Sequence, residues 1–190
     1  MSRRPRPSPR RLSLLAGCAA LVLGLGACGR QSHPTYADTE GFYVDAGAIT
    51  YQVQVSRQLN QYSTEDRSYL QGVNEPAPKP DEAWFAVFIW AKNQTKQPAM
   101  TSDSFDLVDT QGIKYYPVLI NSQVNQLAWT PQTLQPGETE PAPDSSASFG
   151  PTQGEELLFK IGDSAYSNRP VALEIHAKGQ DKPSRISLDL

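Results

Sequence analysis

The nine residues from Ala83 to Ala91 (Ala-Trp-Phe-Ala-Val-Phe-Ile-Trp-Ala) contain no polar side chain. Aromatic and β-branched residues dominate the run, which suits a strand better than a helix. In an extended chain Trp84, Ala86, Phe88 and Trp90 fall on one face and Phe85, Val87, Ile89 and Ala91 on the other. A strand solvated on one side would leave one of these sets in water. The run therefore predicts a central strand covered on both faces, and a layered fold around it.

The rest of the chain supplies partners of the same kind. Ile49, Tyr51, Val53 and Val55 alternate with Thr50, Gln52, Gln54 and Ser56, the period of a half-buried strand. Further strands are expected at 105–109, 113–118, 156–161, 171–176 and 185–190. Asp109-Thr110-Gln111-Gly112 reads as the turn joining the first two of these, and Pro136-Gly137 as another turn. Asn93-Gln94-Thr95 reads as a turn at a strand end. Short strands, frequent turns and almost no helical period predict an all-β fold, an antiparallel β-sandwich. Between Asn60 and Asp81 lies a long irregular connection. Ser63 and Asp66 suit a capped helical turn there, and Pro76, Pro78 and Pro80 end it.

Residues 1–27 read as an export signal. Arg3, Arg4, Arg6, Arg10 and Arg11 precede an apolar run from Leu12 to Ala27 that is shorter than the roughly 20 residues of a spanning helix. Arg10-Arg11-Leu12-Ser13-Leu14-Leu15 partly resembles a twin-arginine signal, with Ser where Phe is preferred, so Sec and Tat export both stay open. Leu25-Gly26-Ala27-Cys28 resembles the lipobox of bacterial lipoproteins, which implies lipid on Cys28 and a protein anchored to the membrane on its extracytoplasmic face. Two acyl chains give lasting attachment where one does not. Cys18 falls within the signal, so no disulfide is expected. Residues 28–47 are polar and rich in small side chains and predict a flexible tether; residues 48–190 form the domain.

Without residues 1–27 the chain keeps 12 of its 17 Lys+Arg against 20 Asp+Glu. A formal charge near −8 with no basic patch argues against nucleic acid as a partner.

The succession of Trp84 to Ile89 closing on Asn93, Phe105 to Asp109 with Gly112 and Tyr115, and Leu134-Gln135-Pro136-Gly137 before Leu157 to Ile161 resembles the immunoglobulin-like domain of unknown function common in lipoproteins of Gram-positive bacteria. The same fold is used by a small secreted immunoprotective antigen of actinobacteria. The resemblance covers about residues 48–176 and implies a non-catalytic extracellular module. The insertion at 60–81 and the stretch 144–154 depart from the pattern, so loop roles do not carry over.

Candidate sites are few. His33 and His176 have no partner at zinc-binding spacing, and no Gly-x-Ser-x-Gly elbow presents a serine. Asp103, Asp106 and Asp109 offer oxygens to Ca²⁺, although a spacing of three divides neighbours between the faces of a strand. Glu65-Asp66 and Glu155-Glu156 read as solvated pairs; a glycosidase would need carboxylates about 5 to 9.5 Å apart in a cleft. Tyr62, Arg67, Tyr69 and Trp129 form the candidate recognition patch, since exposed Tyr, Trp and Arg anchor interfaces. One of Tyr115 and Tyr116 must face outward. The expectation is a lipid-anchored binding or interaction module for a protein or glycan at the cell surface, without a cofactor and not an enzyme. An accessory structural subunit of an envelope complex and an enzyme acting on envelope glycans are the alternatives.

Overall fold

In the computed structural model, which describes residues 31–190, the apolar run forms the long strand β4 (Glu82–Asn93); β1 (Tyr36–Ala37), β2 (Tyr43–Ala46) and β3 (Ile49–Leu59) precede it. After it come β5 (Ala99–Met100), β6 (Ser104–Val108), β7 (Lys114–Tyr115), β8 (Thr133–Leu134), β9 (Thr139–Glu140), β10 (Glu155–Gly162), β11 (Ala172–His176) and β12 (Ser184–Ser187). The first main sheet has the order β1-β12-β11-β6-β7 and the second β10-β4-β3-β2, with β9 also on β4, while β5 and β8 pair as a separate two-stranded sheet. Pairing is antiparallel except between β1 and β12. This is an all-β sandwich. Among the described residues no helix is long and apolar enough to cross a membrane. The export signal and Cys28 lie outside the described residues.

The main core fills the space between the sheets. Phe85, Val87 and Ile89 of β4 meet Leu157, Phe159 and Ile161 of β10, Tyr51 and Val53 of β3, and Phe105, Leu107, Leu173, Ile175 and Ile186 of the facing sheet. The other face of β4 has its own cover. Trp84, Ala86 and Phe88 join Leu59 and Leu158 under Tyr69, Leu70 and Val73 from the 60–81 connection and Val118, Ile120 and Leu127 from a second loop. The two-sided apolar pattern of β4 is thus met by a sheet on one side and two loops on the other.

β3 serves both cores through a single irregularity. Val53 lies opposite Ile89, while Val55 lies opposite Phe88, so one residue is inserted between them. An extra residue moves every later side chain to the other face. Ile49, Tyr51 and Val53 enter the main core and Val55 and Leu59 the second. The unbroken alternation in the sequence carries no sign of this switch.

The chain turns where glycine and asparagine chemistry predicts. Gly112 closes the β6–β7 turn with φ +80°, and Gly137 takes φ +85° after Pro136, with Glu138 N–H donating to Gln135 O at 3.0 Å. Asn93 is buried and its Nδ2 donates to Gln97 O and Leu134 O at 2.8 and 2.9 Å, fixing the turn after β4. The 60–81 segment contains a 3₁₀ turn, Asp66–Ser68, with no side-chain cap. Asp66 is instead buried against Arg57 and accepts Asn60 N–H at 2.8 Å.

The stretch expected as a tether is structured over most of its length. β1 and β2 lie within it, and Ala37, Val44 and Ala46 are buried. His33 N–H donates to Asp45 Oδ2 at 3.0 Å, and Thr50 Oγ1 to Asp45 Oδ1 at 2.6 Å. Polar average composition hid a few apolar side chains placed at pairing positions. The folded body therefore begins near residue 33 rather than 48.

Candidate functional site

The patch expected from Tyr62, Arg67, Tyr69 and Trp129 does not form. Tyr62 is 82% exposed and Arg67 is exposed, whereas Tyr69 is only 4% exposed. The Tyr69 ring stands edge-on to Phe88, with centroids 5.1 Å apart, and its hydroxyl donates to Thr152 Oγ1 at 3.0 Å. Trp129 packs on the main core instead, edge-on to Phe105, with Nε1 donating to Ser102 O at 2.9 Å. The sequence showed aromatics in polar surroundings without showing that the β4 outer face needed them as cover. Tyr62 reaches a concavity of about 480 Å³, shared with Gln58, Pro78, Lys79 and Trp84, whereas Tyr69 and Trp129 border two other hollows. Of the tyrosine pair, Tyr116 faces out and Tyr115 packs on the core.

The three aspartates do not converge either. Asp103 is exposed, and Asp109 accepts N–H groups of Gln111 and Ile113 at 2.9 Å as a turn residue. Asp106 meets Glu174 and His176 on the outer face of the first sheet, with ligand atoms within 4.8 Å of one another. Lys114 Nζ already serves this group, donating to Asp106 Oδ2 at 2.7 Å and Glu174 Oε2 at 3.3 Å. The hydrogen bond to Asp106 holds the lysine above its usual pKa. An ammonium is the cation of this cluster.

A more coherent recognition surface lies on the outer face of the second sheet, where the alternation of β2, β3 and β4 turns Tyr43, Gln52 and Trp90 outward. Their positions are neighbours in register: Tyr43 opposite Gln52, and Gln52 opposite Trp90. The rings of His33, Tyr43 and Trp90 form a row with successive centroids 5.4 and 5.7 Å apart. Tyr43 is 42% exposed. Beside the row Gln54 donates to Gln52, which donates to Gly41 O. Tyr43, Trp90, Gln52 and Gln54 line a groove of about 350 Å³ with Pro141, Pro143, Ser148 and Gln153, while the His33 ring at the end of the row, 3.2 Å from Asp45 Oδ1, stands outside the groove. Aromatic faces with amides at their edge can hold a ligand that is apolar on one side and hydroxylated on the other. The sequence offered the alternation that turns Gln52 outward, but Tyr43 lay in the supposed tether and Trp90 looked like core.

The adjacent acids Glu155 and Glu156 are not a solvated pair. Strand alternation sends them to opposite faces of β10, and both faces are covered. Glu156 is 1% exposed at the second core; Asn125 Nδ2 donates to its Oε2 at 3.3 Å and Oε1 has no partner. Burial raises its pKa to about 8, against the hydrogen bond from Asn125 and the nearby charge of Arg57. Glu155, opposite Ile89, and Glu140, opposite Ala91, follow one another along the same edge of β4 and face the main core. Burial lifts Glu140 to about 7, partly offset by Glu155, Gln132 and Thr101. Burial and the charge of Glu140 lift Glu155 to about 9. These two acids lie in hydrogen-bonding reach of each other, so they do not straddle a cleft as a glycosidase pair does.

No family model and no curated protein matches the chain. Solved structures of similar form exist. The yjhA protein from Bacillus subtilis superposes with a TM-score of 0.50 at 14% identity, over 80% of this chain and 99% of that one. The ycdA protein of the same organism, provisionally named a lipoprotein, gives 0.44 at 11% identity, covering 77% of this chain and 37% of that one. An uncharacterized β-sandwich protein from Clostridium difficile gives 0.41 at 13% identity, over 85% of this chain and 100% of that one. The finer likeness to the actinobacterial antigen gains no support from these neighbours. At such identities the likeness to yjhA concerns the fold alone, and that fold is the all-β sandwich described above.

Proposed function

We propose that this protein is a non-catalytic binding module of the bacterial cell envelope, held at the membrane by lipid on Cys28, which recognises a glycan through the outer groove of its second sheet. The pair Tyr43 and Trp90 beside Gln52 and Gln54 carries this reading. A pyranose ring has an apolar face that stacks on an aromatic side chain and hydroxyls at its rim that pair with amides. The floor of the groove sits on strands β2, β3 and β4, so its aromatic and amide groups are organised before the ligand arrives, and one wall comes from the 141–154 connection. The acidic body disfavours nucleic acid and other polyanions.

Pull-down of the purified protein with isolated cell-wall polysaccharide tests the reading. Tyr43→Ala should weaken retention roughly tenfold, the effect of losing one partly exposed aromatic anchor worth about 1.4 kcal/mol. Its melting temperature should stay near that of the parent. Retention by this variant and by Trp90→Ala at parental strength would remove the groove from the account. The anchor has a separate test. Cys28→Ala should release the protein from the membrane fraction, and continued membrane association would refute lipidation at that residue.

A second reading, that of an accessory subunit in an envelope complex, draws on the segment from Ile113 to Val124. It leaves Ile113, Tyr116, Leu119 and Val124 exposed, an apolar density unusual for one surface stretch. Capture of a protein through this segment, with no polysaccharide retained, would favour it.

A further inference from the structure

Glu140 is fully buried, and neither of its carboxylate oxygens meets a donor in good hydrogen-bond geometry. Oε2 of Glu155 is likewise buried and unpartnered. The strand register explains why these orphans gather in one place. β9 and β10 follow one another along the same edge of β4, and positions opposite Ala91 and Ile89 present their side chains to the same face. Buried polar atoms without partners are rare in native folds, and such a group calls for a water or an ion. A single proton shared between the two acids pairs one oxygen from each and leaves the third with only the side chains of Gln132 and Thr101 nearby, neither in good hydrogen-bond geometry. A divalent cation satisfies all three at once.

We propose that Glu140 and Glu155 hold a hard divalent cation, calcium by its preference for oxygen ligands, at the end of the main core. The donor set is all carboxylate, with Thr101 and Gln132 beside Glu140, and it contains no sulfur or imidazole that would select a softer metal. Glu155 is partly exposed, which gives the ion and its remaining waters a route from solvent. The ion would join β9 to the start of β10. That start is tightly set: Gly154 has φ +109°, and a Cβ there would lie 2.9 Å from the backbone nitrogen of Ile89. The site lies on the core face of the sheet, behind Thr139, Pro141 and Gly154 of the groove wall, and does not rest on glycan binding.

The test uses the purified protein near neutral pH, first in chelator and then in millimolar CaCl₂, followed by terbium as a luminescent substitute. Calcium should raise the melting temperature of the parent by several degrees. Terbium emission should rise on excitation of Tyr51, whose hydroxyl feels the charge of Glu140, and of Trp129, whose ring centroid is 6.2 Å from that of Tyr51. Both responses should vanish in Glu140→Gln and fall in Glu155→Gln. Each variant puts a neutral amide of nearly the same shape where a buried acid stands, so folding in chelator should survive. Asp106→Asn, which alters the lysine-filled cluster, should respond like the parent. An unresponsive parent overturns the proposal and leaves a shared proton between the acids. A response that persists in Glu140→Gln, or disappears in Asp106→Asn, overturns it by placing the ion elsewhere.

Discussion

In the presence of a chelator, the melting temperature should fall steadily as pH is raised from about 5 to about 9, and Glu140→Gln should flatten the decline. The unfolded chain releases its glutamate protons near the ordinary value of 4.5, whereas in the fold Glu140 titrates at about 7, Glu156 at about 8 and Glu155 at about 9. Between these limits the folded state retains protons that the unfolded state has lost. Stability is therefore full below the unfolded value and declines as pH rises through the folded values. Each retained proton costs about 1.4 kcal/mol per pH unit. The total is on the order of several kcal/mol, with Glu155 discounted because it is partly open to water. Glu140→Gln keeps the side-chain shape and removes the charge, so at alkaline pH this variant should melt above the parent. Thermal melts across the pH series decide the matter: a flat parental profile, or parallel profiles for parent and variant, would show that these acids are not buried as described.

The same acids show where sequence reading lost the site. Glu155-Glu156 stands at the entrance to a strand whose next residues, Leu157 to Ile161, are apolar on both faces apart from Lys160. A strand covered on both sides buries both members of an adjacent pair, so the strand pattern is itself incompatible with a solvated Glu155-Glu156. Glu140 gave no such signal, because β9 is two residues long and follows a Pro-Gly turn. Its burial depends on the pairing of β9 with β4, a contact far apart in sequence.

The framework was far more legible. β4, β6, β10, β11 and β12 all lie at or close to the runs expected for them, because an apolar face must be covered wherever the chain later goes. The strand expected over 113–118 shrank to Lys114–Tyr115; beyond it Tyr116 is exposed and Pro117 bridges to Phe159. Proline lacks the N–H that a longer ladder would need. The irregularity between Val53 and Val55 and the folding of residues 33–47 were not legible, since both are decided by which neighbour is available rather than by local pattern.

Tyr69→Ala should destabilise the protein by about 3 kcal/mol, the range for removing a buried aromatic ring, while Tyr62→Ala should change stability by less than about 0.5 kcal/mol. Both residues belong to the 60–81 connection, and sequence reading gave them the same role. The fold separates them. Tyr69 closes the second core over Phe88, lies under the Arg57 guanidinium at 5.4 Å and receives Asn125 Nδ2 on its carbonyl at 2.9 Å, whereas Tyr62 projects into solvent. Truncating Tyr69 opens a void beside Phe88 and removes the cover from Trp84, Ala86 and Leu158, so the loss includes both transfer and cavity terms. Shortening the whole connection exposes the same face and should prevent folding altogether. A recognition loop could be trimmed without that consequence. Urea unfolding of the two point variants distinguishes the roles: a parental midpoint for Tyr69→Ala, together with lost ligand capture, would return this loop to recognition, whereas a large fall in midpoint for Tyr69→Ala alone identifies it as the outer wall of the β4 core.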